Sequence, residues 1–193
     1  MILSNAGIKT ALADGTIGIN PPPTDERIET SSVDLTLSDI FKIWKPEPFI
    51  AKGAKVELNL LDVDYIGVAN GYQTKPPTDA SGCLLIPPFR DHPWHFLAQT
   101  REKITLPDTI AARVEGRSGL ARMGLVVHLT APIIHAKFDA TITLEMINFG
   151  PFQLRLVPGM RICQLVFERL ETPAVGDIRT AFQGQTEPGG SHS

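Results

Sequence analysis

The stretch DATITLEMINFG, residues 139–150, gives the clearest indication of the fold of the chain. Its side chains point alternately to opposite faces of a predicted β-strand. One face is apolar and holds Ala140, Ile142, Leu144 and Met146. The other face holds Thr141, Thr143, Glu145 and Ile147. The pattern predicts a half-buried strand with one carboxylate on its outer face, and on this stretch alone a solvated carboxylate is the simpler interpretation.

Short runs of the same kind fill most of the chain and are separated by Pro, Gly, Asp and Asn. They are SSVDLTL, AKVELNL, GCLLIPPF, WHFLAQT, IAARVEG, GLVVHLT, FQLRLV and MRICQLVFERL. Many short strands with turn residues between them predict a mostly β sandwich or barrel. One helix is predicted in LSNAGIKTALADG, with Ser4 or Asn5 as its N-cap and Gly15 at its end. Two Pro-rich segments, GINPPPTDERIETS and NGYQTKPPTDASG, are predicted to be surface loops.

Length and composition limit the possible classes of protein. A chain of 193 residues fits one domain, and we expect residues 1–193 to form it, with residues 176–193 as a flexible C-terminal tail. A formal net charge of −3 excludes a broad basic surface for nucleic acid or for an anionic membrane. The two cysteines belong to no CxxC pair, so no disulfide framework or structural zinc site is expected. With no export signal and no run of ~20 apolar residues, we expect a cytoplasmic protein.

The stretch EGRSGLARMG, residues 115–124, brings a second group of polar side chains between two predicted strands. A short helix over residues 118–123 would place Ser118 and Arg122 on one face, because they are four residues apart. Arg117 would lie at the start of this helix, where free backbone N–H groups favour phosphate oxygens. A solvated basic loop is the alternative interpretation.

Together these motifs resemble a known family. GRSGLARMGLVVHLTA, followed by TLE, PGMRICQL and FQGQ, resembles the trimeric dCTP deaminases and the dUTPases related to them. The resemblance begins with MILS, IKTALADG and SSVDLTLS, and it is weakest over residues 42–80. Several motifs at matching separations are more specific than any one of them. The resemblance implies a mainly β fold, a distorted jelly-roll-like (dUTPase-like) β barrel with a short N-terminal helix and few other helices, assembled as a homotrimer with shared active sites.

The resemblance also implies roles for individual residues. Glu145 matches the family's catalytic glutamate, Arg122 and Ser118 match the residues beside it, and Arg117 matches a phosphate-binding arginine. The other implied contacts to the nucleotide are Gly119, Leu120, Thr130, Ala131, His135, Phe138, Thr143, Leu144, Gln164 and Gln185. The resemblance also implies that Mg²⁺ binds together with the triphosphate and is held mainly by the phosphate oxygens.

The chemistry of cytosine deamination is consistent with the roles implied for Glu145, Arg122 and Ser118. A water must lose a proton while the ring N3 gains one, so a single carboxylate that carries protons is the minimum requirement. Glu145 can be that group, Arg122 can orient it, and Ser118 can hold the water. A zinc deaminase would carry a PCxxC signature, which the sequence lacks. The hypothesis is zinc-independent hydrolytic deamination of dCTP to dUTP and ammonia.

Some positions depart from the family pattern. At His135 the superfamily normally carries an acidic residue, which binds the sugar 3′-hydroxyl and in dUTPases also activates the hydrolytic water. Ala181 replaces a lysine of the C-terminal motif, and Gly119 matches the dUTPase version of its loop. Two alternatives therefore stay open: a dUTPase or a bifunctional dCTP deaminase/dUTP diphosphatase, and a non-catalytic nucleotide-binding module on the same fold.

Four further polar residues are interpreted as structural. His92 and His95 have the spacing of a metal pair but lack a third ligand, so we interpret them as incidental. His128 is interpreted as a packed residue on a strand. Asp34 is interpreted as a turn or subunit-contact residue.

Overall fold

A computed structural model of the chain describes residues 1–45, 57–93, 95–178 and 187–188. The helices in these ranges are α1 (Asn5–Ala13), α2 (Tyr65–Tyr72) and α3 (Ser118–Arg122), and a 3₁₀ turn spans Asp25–Arg27. The strands are β1 (Gly18–Asn20), β2 (Val33–Trp44), β3 (Gln73–Thr74), β4 (Leu84–Ile86), β5 (Phe96–Thr105), β6 (Ile110–Gly116), β7 (Leu125–Val126), β8 (Ile133–Ile134), β9 (Asp139–Asn148), β10 (Leu154–Leu156) and β11 (Arg161–Arg169).

Most of these strands belong to one curled antiparallel sheet. Its order is β7–β9–β5–β2–β11–β6–β8, with β1 paired to β5 and β3 paired to β2. Strands β4 and β10 form a separate antiparallel pair. The prediction of a mainly β fold with a short N-terminal helix and few other helices is confirmed. None of the helices in the described ranges has the length and apolar character to cross a membrane.

Strand β9 has the two faces that its sequence predicts. Its apolar face is buried in the core of the curled sheet, through Ala140, Ile142, Leu144 and Met146. Thr143 and Glu145 on the other face are only partly buried. The alternation therefore separates a face that holds the sheet together from a face that is available for function.

Helix α1 also forms where the sequence predicts it. The Ser4 hydroxyl accepts a hydrogen bond from the Gly7 N–H at 3.4 Å and so caps the first turn. The helix ends at Ala13, and Gly15 adopts a φ of +75° two residues later. This is the left-handed conformation that glycine allows at the end of a helix.

Some local predictions are wrong, for one predicted strand and for the two Pro-rich segments. AKVELNL is not a strand over residues 57–60, and residues 54–56 lie outside the described ranges. Both Pro-rich segments contain regular structure: the first includes β1 and the 3₁₀ turn, and the second includes the end of α2 and all of β3. Helix α2 contains Gly67 and Gly71, which lower helix propensity and mask it in the sequence. The Asp64 carboxylate compensates by capping the helix, since it accepts from the Gly67 N–H at 2.9 Å.

Two glycines fix α3 beside the end of β9. Gly124, in the turn after α3, adopts a φ of +94° and lies against the backbone of Gly150. A Cβ on Gly124 would overlap the Gly150 backbone, and a Cβ on Gly150 would overlap the Met123 carbonyl. The Phe149 N–H donates to the Gly124 carbonyl at 2.8 Å across this contact. The close approach therefore requires glycine at both positions.

The Glu102 carboxylate is fully buried in the sheet. Glu102 on β5 pairs with the Arg27 guanidinium of the 3₁₀ turn. It also accepts from the Thr36 N–H at 2.8 Å and from the Thr36 hydroxyl at 2.7 Å. A buried charge is tolerated when its hydrogen bonds are satisfied in this way. The network ties the 3₁₀ turn to β2 and β5.

Replacement of Glu102 by Ala is expected to lower the free energy of unfolding by about 3–5 kcal/mol, because it leaves a largely buried arginine without a partner. The matched control is Glu168→Ala, which removes a partly exposed carboxylate 2.8 Å from Arg113. We expect the control to cost about 1 kcal/mol or less. Urea denaturation of both variants measures the difference, and equal losses would contradict the assigned role of Glu102.

Candidate functional site

A cleft of about 620 Å³ opens on the outer face of β9. Thr141, Thr143 and Glu145 line it from β9, and Leu97 lines it from the neighbouring strand β5. Residues of the 128–138 segment close one side, and residues of α2, β2 and β3 close the other. The cleft thus lies over the sheet, on the opposite side of β9 from the core.

Glu145 is the one carboxylate among the described residues that line this cleft. It lies opposite Leu97 in the β9–β5 ladder and is partly buried. Its Oε2 accepts a hydrogen bond from the Leu129 N–H at 3.2 Å, and Oε1 makes no hydrogen bond within the described ranges. Glu145 therefore occupies a cleft and is not simply a carboxylate on a solvated face.

Several residues that the resemblance implies lie in the same cleft as Glu145. They are Ala131, His135, Phe138 and Thr143. His135 is exposed, whereas Phe138 both lines the cleft and packs against the core cluster. Thr130 is exposed next to Ala131 but is not among the lining residues. The Leu144 side chain is fully buried in the core, so only its backbone can face the cleft.

The residues of α3 lie outside this cleft. The predicted short helix is confirmed over Ser118–Arg122. Ser118, Gly119 and Arg122 are exposed, whereas Leu120 packs against the core cluster. Within the described ranges, Ser118 and Arg122 make no hydrogen bond or ion pair and do not line the cleft. Their convergence with Glu145 therefore stays a prediction.

The position of α3 has a structural reason. The helix packs against β7, and β7 pairs with the last residues of β9, Val126 opposite Ile147 and Leu125 opposite Asn148. The glycine contact between residues 124 and 150 holds α3 at this end of the strand. The sheet thus presents Glu145 and α3 on two separate surfaces of the chain.

Arg117 belongs to a third group of polar residues, around the buried carboxylate of Asp34. Arg117 Nε lies 3.2 Å from Asp34 Oδ1, and Arg161 Nη1 donates to Asp34 Oδ2 at 3.3 Å. Gln164 on β11 pairs with Asp34 on β2 in the ladder. The interpretation of Asp34 as a turn residue is wrong, because it lies within β2. Arg161 Nη2 also lies 4.0 Å from the exposed Glu26 carboxylate, so two guanidinium groups and two carboxylates meet here, next to Gln164.

Two histidines that were interpreted from the sequence as structural, His95 and His128, line the cleft. His128 lines the cleft from a loop, because only Leu125–Val126 of the predicted strand GLVVHLT forms one. Its Nδ1 is buried without a hydrogen-bond partner in the described ranges. His95 lines the cleft from the residue before β5. The signal that could have found His95 is its position two residues before Leu97, which places it on the same strand face.

Burial governs the ionisation of two groups. Burial lowers the pKa of His95, while the negative charge of Glu145 acts in the opposite direction. Burial also raises the pKa of the Cys163 thiol. Cys83 and Cys163 are both buried and unpaired. Within the described residues, no group of three or more His, Cys, Asp or Glu side chains is arranged to hold a metal ion. Gln185 lies outside the described ranges.

Comparisons with known proteins agree with this architecture. A family model described as dCTP deaminase-like matches residues 2–170. A protein of Methanosphaera stadtmanae named "dCTP deaminase, dUMP-forming" is 38% identical over 195 residues, which is 97% of this chain and 91% of that protein. A Rhodospirillum rubrum protein named dCTP deaminase is 36% identical over 182 residues, which is 90% of this chain and 85% of that protein.

A solved structure has the same fold. The crystal structure of 2′-deoxycytidine 5′-triphosphate deaminase from Agrobacterium tumefaciens matches with a TM-score of 0.62 and 16% sequence identity. The match covers 88% of this chain and 49% of that chain, so this chain spans about half the length of that protein. The likeness confirms the predicted fold class.

Proposed function

Because the chain belongs to the dCTP deaminase-like family, we propose that it catalyses the zinc-independent hydrolytic deamination of dCTP to dUTP and ammonia, as part of deoxynucleotide metabolism. The observation that carries the proposal is the position of Glu145. It is a single carboxylate in a cleft whose other described lining residues are apolar, hydroxyl, amide or histidine side chains. This is the minimum equipment for moving a proton from a water to a pyrimidine ring.

The proposed reaction replaces the C4 amino group of cytosine by oxygen. A water attacks C4 and gives a proton to Glu145, which passes a proton to the ring N3. Glu145 then moves the proton of the new C4 hydroxyl to the amino group, the C4–N bond breaks as the C4=O bond forms, and ammonia leaves. The Leu129 N–H supports this role because it holds Oε2 of Glu145 at 3.2 Å and so fixes the carboxylate in the cleft, while each carboxylate oxygen has a second lone pair that can take the proton.

The remaining cleft residues fit the other parts of the nucleotide. Thr143 and the backbone of Leu144 are assigned to the base, and Phe138 with His135 is assigned to the sugar. The backbone at Thr130 and Ala131 is assigned to the attacking water. The binding roles that the resemblance implies are also proposed for Gly119 and Leu120 on α3 and for Gln185. The position of Phe138 supports its assignment, because an aromatic ring between core and cleft can pack against a deoxyribose.

The phosphates are assigned to Arg117 and Gln164, beside Asp34. Asp34 Oδ1 receives no hydrogen bond within the described residues, so its contact with Arg117 is electrostatic and leaves the Arg117 N–H groups for a ligand. Gln164 adds a neutral donor beside it. Mg²⁺, when bound, would neutralise part of the triphosphate charge. The residues present fit an ion that takes most of its ligands from phosphate oxygens.

We propose that the protein is a homotrimer in which a second copy brings Ser118 and Arg122 to the cleft. In support, these side chains are exposed and have no partner within the described ranges. Large apolar side chains near α3 are also exposed, namely Met123 (49%), Phe149 (60%) and Phe152 (62%). Exposed apolar groups of this kind mark interaction surfaces. A cytoplasmic location and a single domain over residues 1–193 belong to the same proposal; most of the predicted tail, residues 179–186 and 189–193, lies outside the described ranges.

A bifunctional activity is the second candidate. The observation in its favour is that several relatives, among them the Methanosphaera stadtmanae protein, are named "dCTP deaminase, dUMP-forming". Against it stands His135, because imidazole replaces the carboxylate that activates water in the related dUTPases. A protonated histidine would also add positive charge where that carboxylate is negative. We therefore propose dUTP as the product.

Parallel assays of ammonia and pyrophosphate release test the proposal on dCTP and on dUTP, each with Mg²⁺. We expect ammonia from dCTP and no pyrophosphate from either nucleotide. Ammonia together with pyrophosphate from dCTP would support the bifunctional enzyme. Pyrophosphate from dUTP without ammonia from dCTP would overturn the proposal in favour of a dUTPase. Tight binding of dCTP with neither product would support a non-catalytic binding module.

A further inference from the structure

His95 lies next to Glu145 in the cleft, although its sequence context indicates no role. Leu97 is opposite Glu145 in the β5–β9 ladder, and His95 lies two residues before Leu97. It is therefore diagonal to Glu145, a relation in which residues lie about 7–8 Å apart, within reach of aromatic and long side chains. Both side chains line the same cleft.

The Trp44 indole determines which nitrogen of His95 carries hydrogen. Trp44 Nε1–H donates to His95 Nε2 at 3.3 Å, and the two rings meet edge to face with centroids 6.0 Å apart. An indole N–H can only donate, so Nε2 must keep its lone pair. A neutral imidazole then carries its hydrogen on Nδ1. Burial of the ring, which lowers the pKa of His95, favours the same neutral form.

The hydrogen-bonding capacities of the two residues are complementary. The Nδ1–H of His95 has no hydrogen-bond acceptor within the described ranges. Glu145 Oε2 is held by the Leu129 N–H, and Oε1 has no donor there. From this geometry we infer that His95 is a positioning residue, which donates its Nδ1–H to Glu145 Oε1 and holds the carboxylate against the pyrimidine. The inference rests on the proposed deamination.

A neutral donor suits a carboxylate that must gain and lose a proton. A lysine or an imidazolium at this place would stabilise the carboxylate by its full charge and weaken it as a base. A neutral N–H fixes the orientation of Glu145 with a smaller effect on its charge. Trp44 contributes by excluding the cationic form, since its indole N–H would then face an N–H of the imidazolium.

The kinetic test compares His95→Phe with His95→Asn, because the Asn amide can present an N–H near the position of Nδ1. We expect His95→Phe to lower kcat for dCTP by about 10- to 100-fold, the value of a hydrogen bond to a charged group, with KM within about threefold of wild type. His95→Asn is expected to recover most of kcat. The control is His92→Phe, which changes a histidine stacked on Phe96 outside the cleft lining and should leave kcat unchanged.

A kcat for His95→Phe equal to wild type would overturn the inference, and so would a loss that appears only in KM or that His95→Asn does not recover. Nitrogen-15 NMR of the wild-type protein gives a second readout that needs neither folding of a variant nor activity. We expect a neutral His95 with hydrogen on Nδ1 at pH 7. Hydrogen on Nε2, or an imidazolium, would overturn the inference. Absence of ammonia release by the wild-type protein would instead overturn the proposed function.

Discussion

Replacement of Glu145 by Gln is expected to lower kcat for dCTP deamination by about 10²- to 10⁴-fold, the usual contribution of general acid–base catalysis. Glutamine keeps the size of the side chain and can still accept from the Leu129 N–H. It cannot take a proton from water, so the chemical step should fail while dCTP still binds. Single-turnover measurement of ammonia, with dCTP affinity measured by calorimetry, separates the two effects.

The matched control for this change is Glu168→Gln. Glu168 is also a partly buried strand glutamate, but it lies on β11, 2.8 Å from Arg113, and does not line the cleft. We expect its kcat to stay within about twofold of wild type, as for a surface substitution away from the site. A Glu145→Gln protein that still deaminates dCTP at the wild-type rate would show that the proton carrier is another group.

The sequence was informative where one physical constraint dominates. In β9 the burial of one face forces strict alternation, and so the strand, its core residues and the outward position of Glu145 could all be predicted. Helix α1 could be predicted because Ser4 caps it and Gly15 follows its end. Helix α2 could not, because two glycines weaken its propensity and its stability comes from a cap and from packing.

The site was only partly predictable for a related reason. For residues on the same strand as Glu145, alternation alone says which of them share its face. For residues on other strands, the distance to Glu145 depends on how the strands pair and in which register. His95 reaches the cleft because β5 pairs with β9 at Leu97 and Glu145, and Trp44 contacts His95 because β2 pairs with β5. No local pattern encodes these pairings. The arginine partners of Asp34 could likewise not be predicted, since they come from β11 and from the start of α3.

The separation of α3 from the cleft leads to the second large effect. If the catalytic site combines Glu145 of one copy with Arg122 of another, a Glu145→Gln chain and an Arg122→Ala chain each lack one half of every site. Each variant alone should be nearly inactive. Assembled together, an intact cleft forms wherever an Arg122→Ala copy, with its Glu145, faces a Glu145→Gln copy, with its Arg122.

The composition of a mixed trimer gives the size of the restored activity. In a closed symmetric trimer that contains both variants, one of the three clefts combines an intact Glu145 with an intact Arg122, so purified mixed trimers should have about one third of the wild-type activity. Co-expression with two different affinity tags, followed by sequential purification, isolates mixed assemblies. Their rate of ammonia release from dCTP is the measurement.

The control mixture combines Arg122→Ala with Ser118→Ala. Both changes lie on α3, so every cleft faces a copy that lacks one of the two side chains, and no intact site forms. We expect this mixture to stay as inactive as its components. The Glu145→Gln and Arg122→Ala mixture could also stay inactive although mixed assemblies are isolated. In that case the proposal that two copies share each site is wrong. Arg122 would then have to act within its own protomer, through a movement of α3 that the Gly124–Gly150 contact opposes.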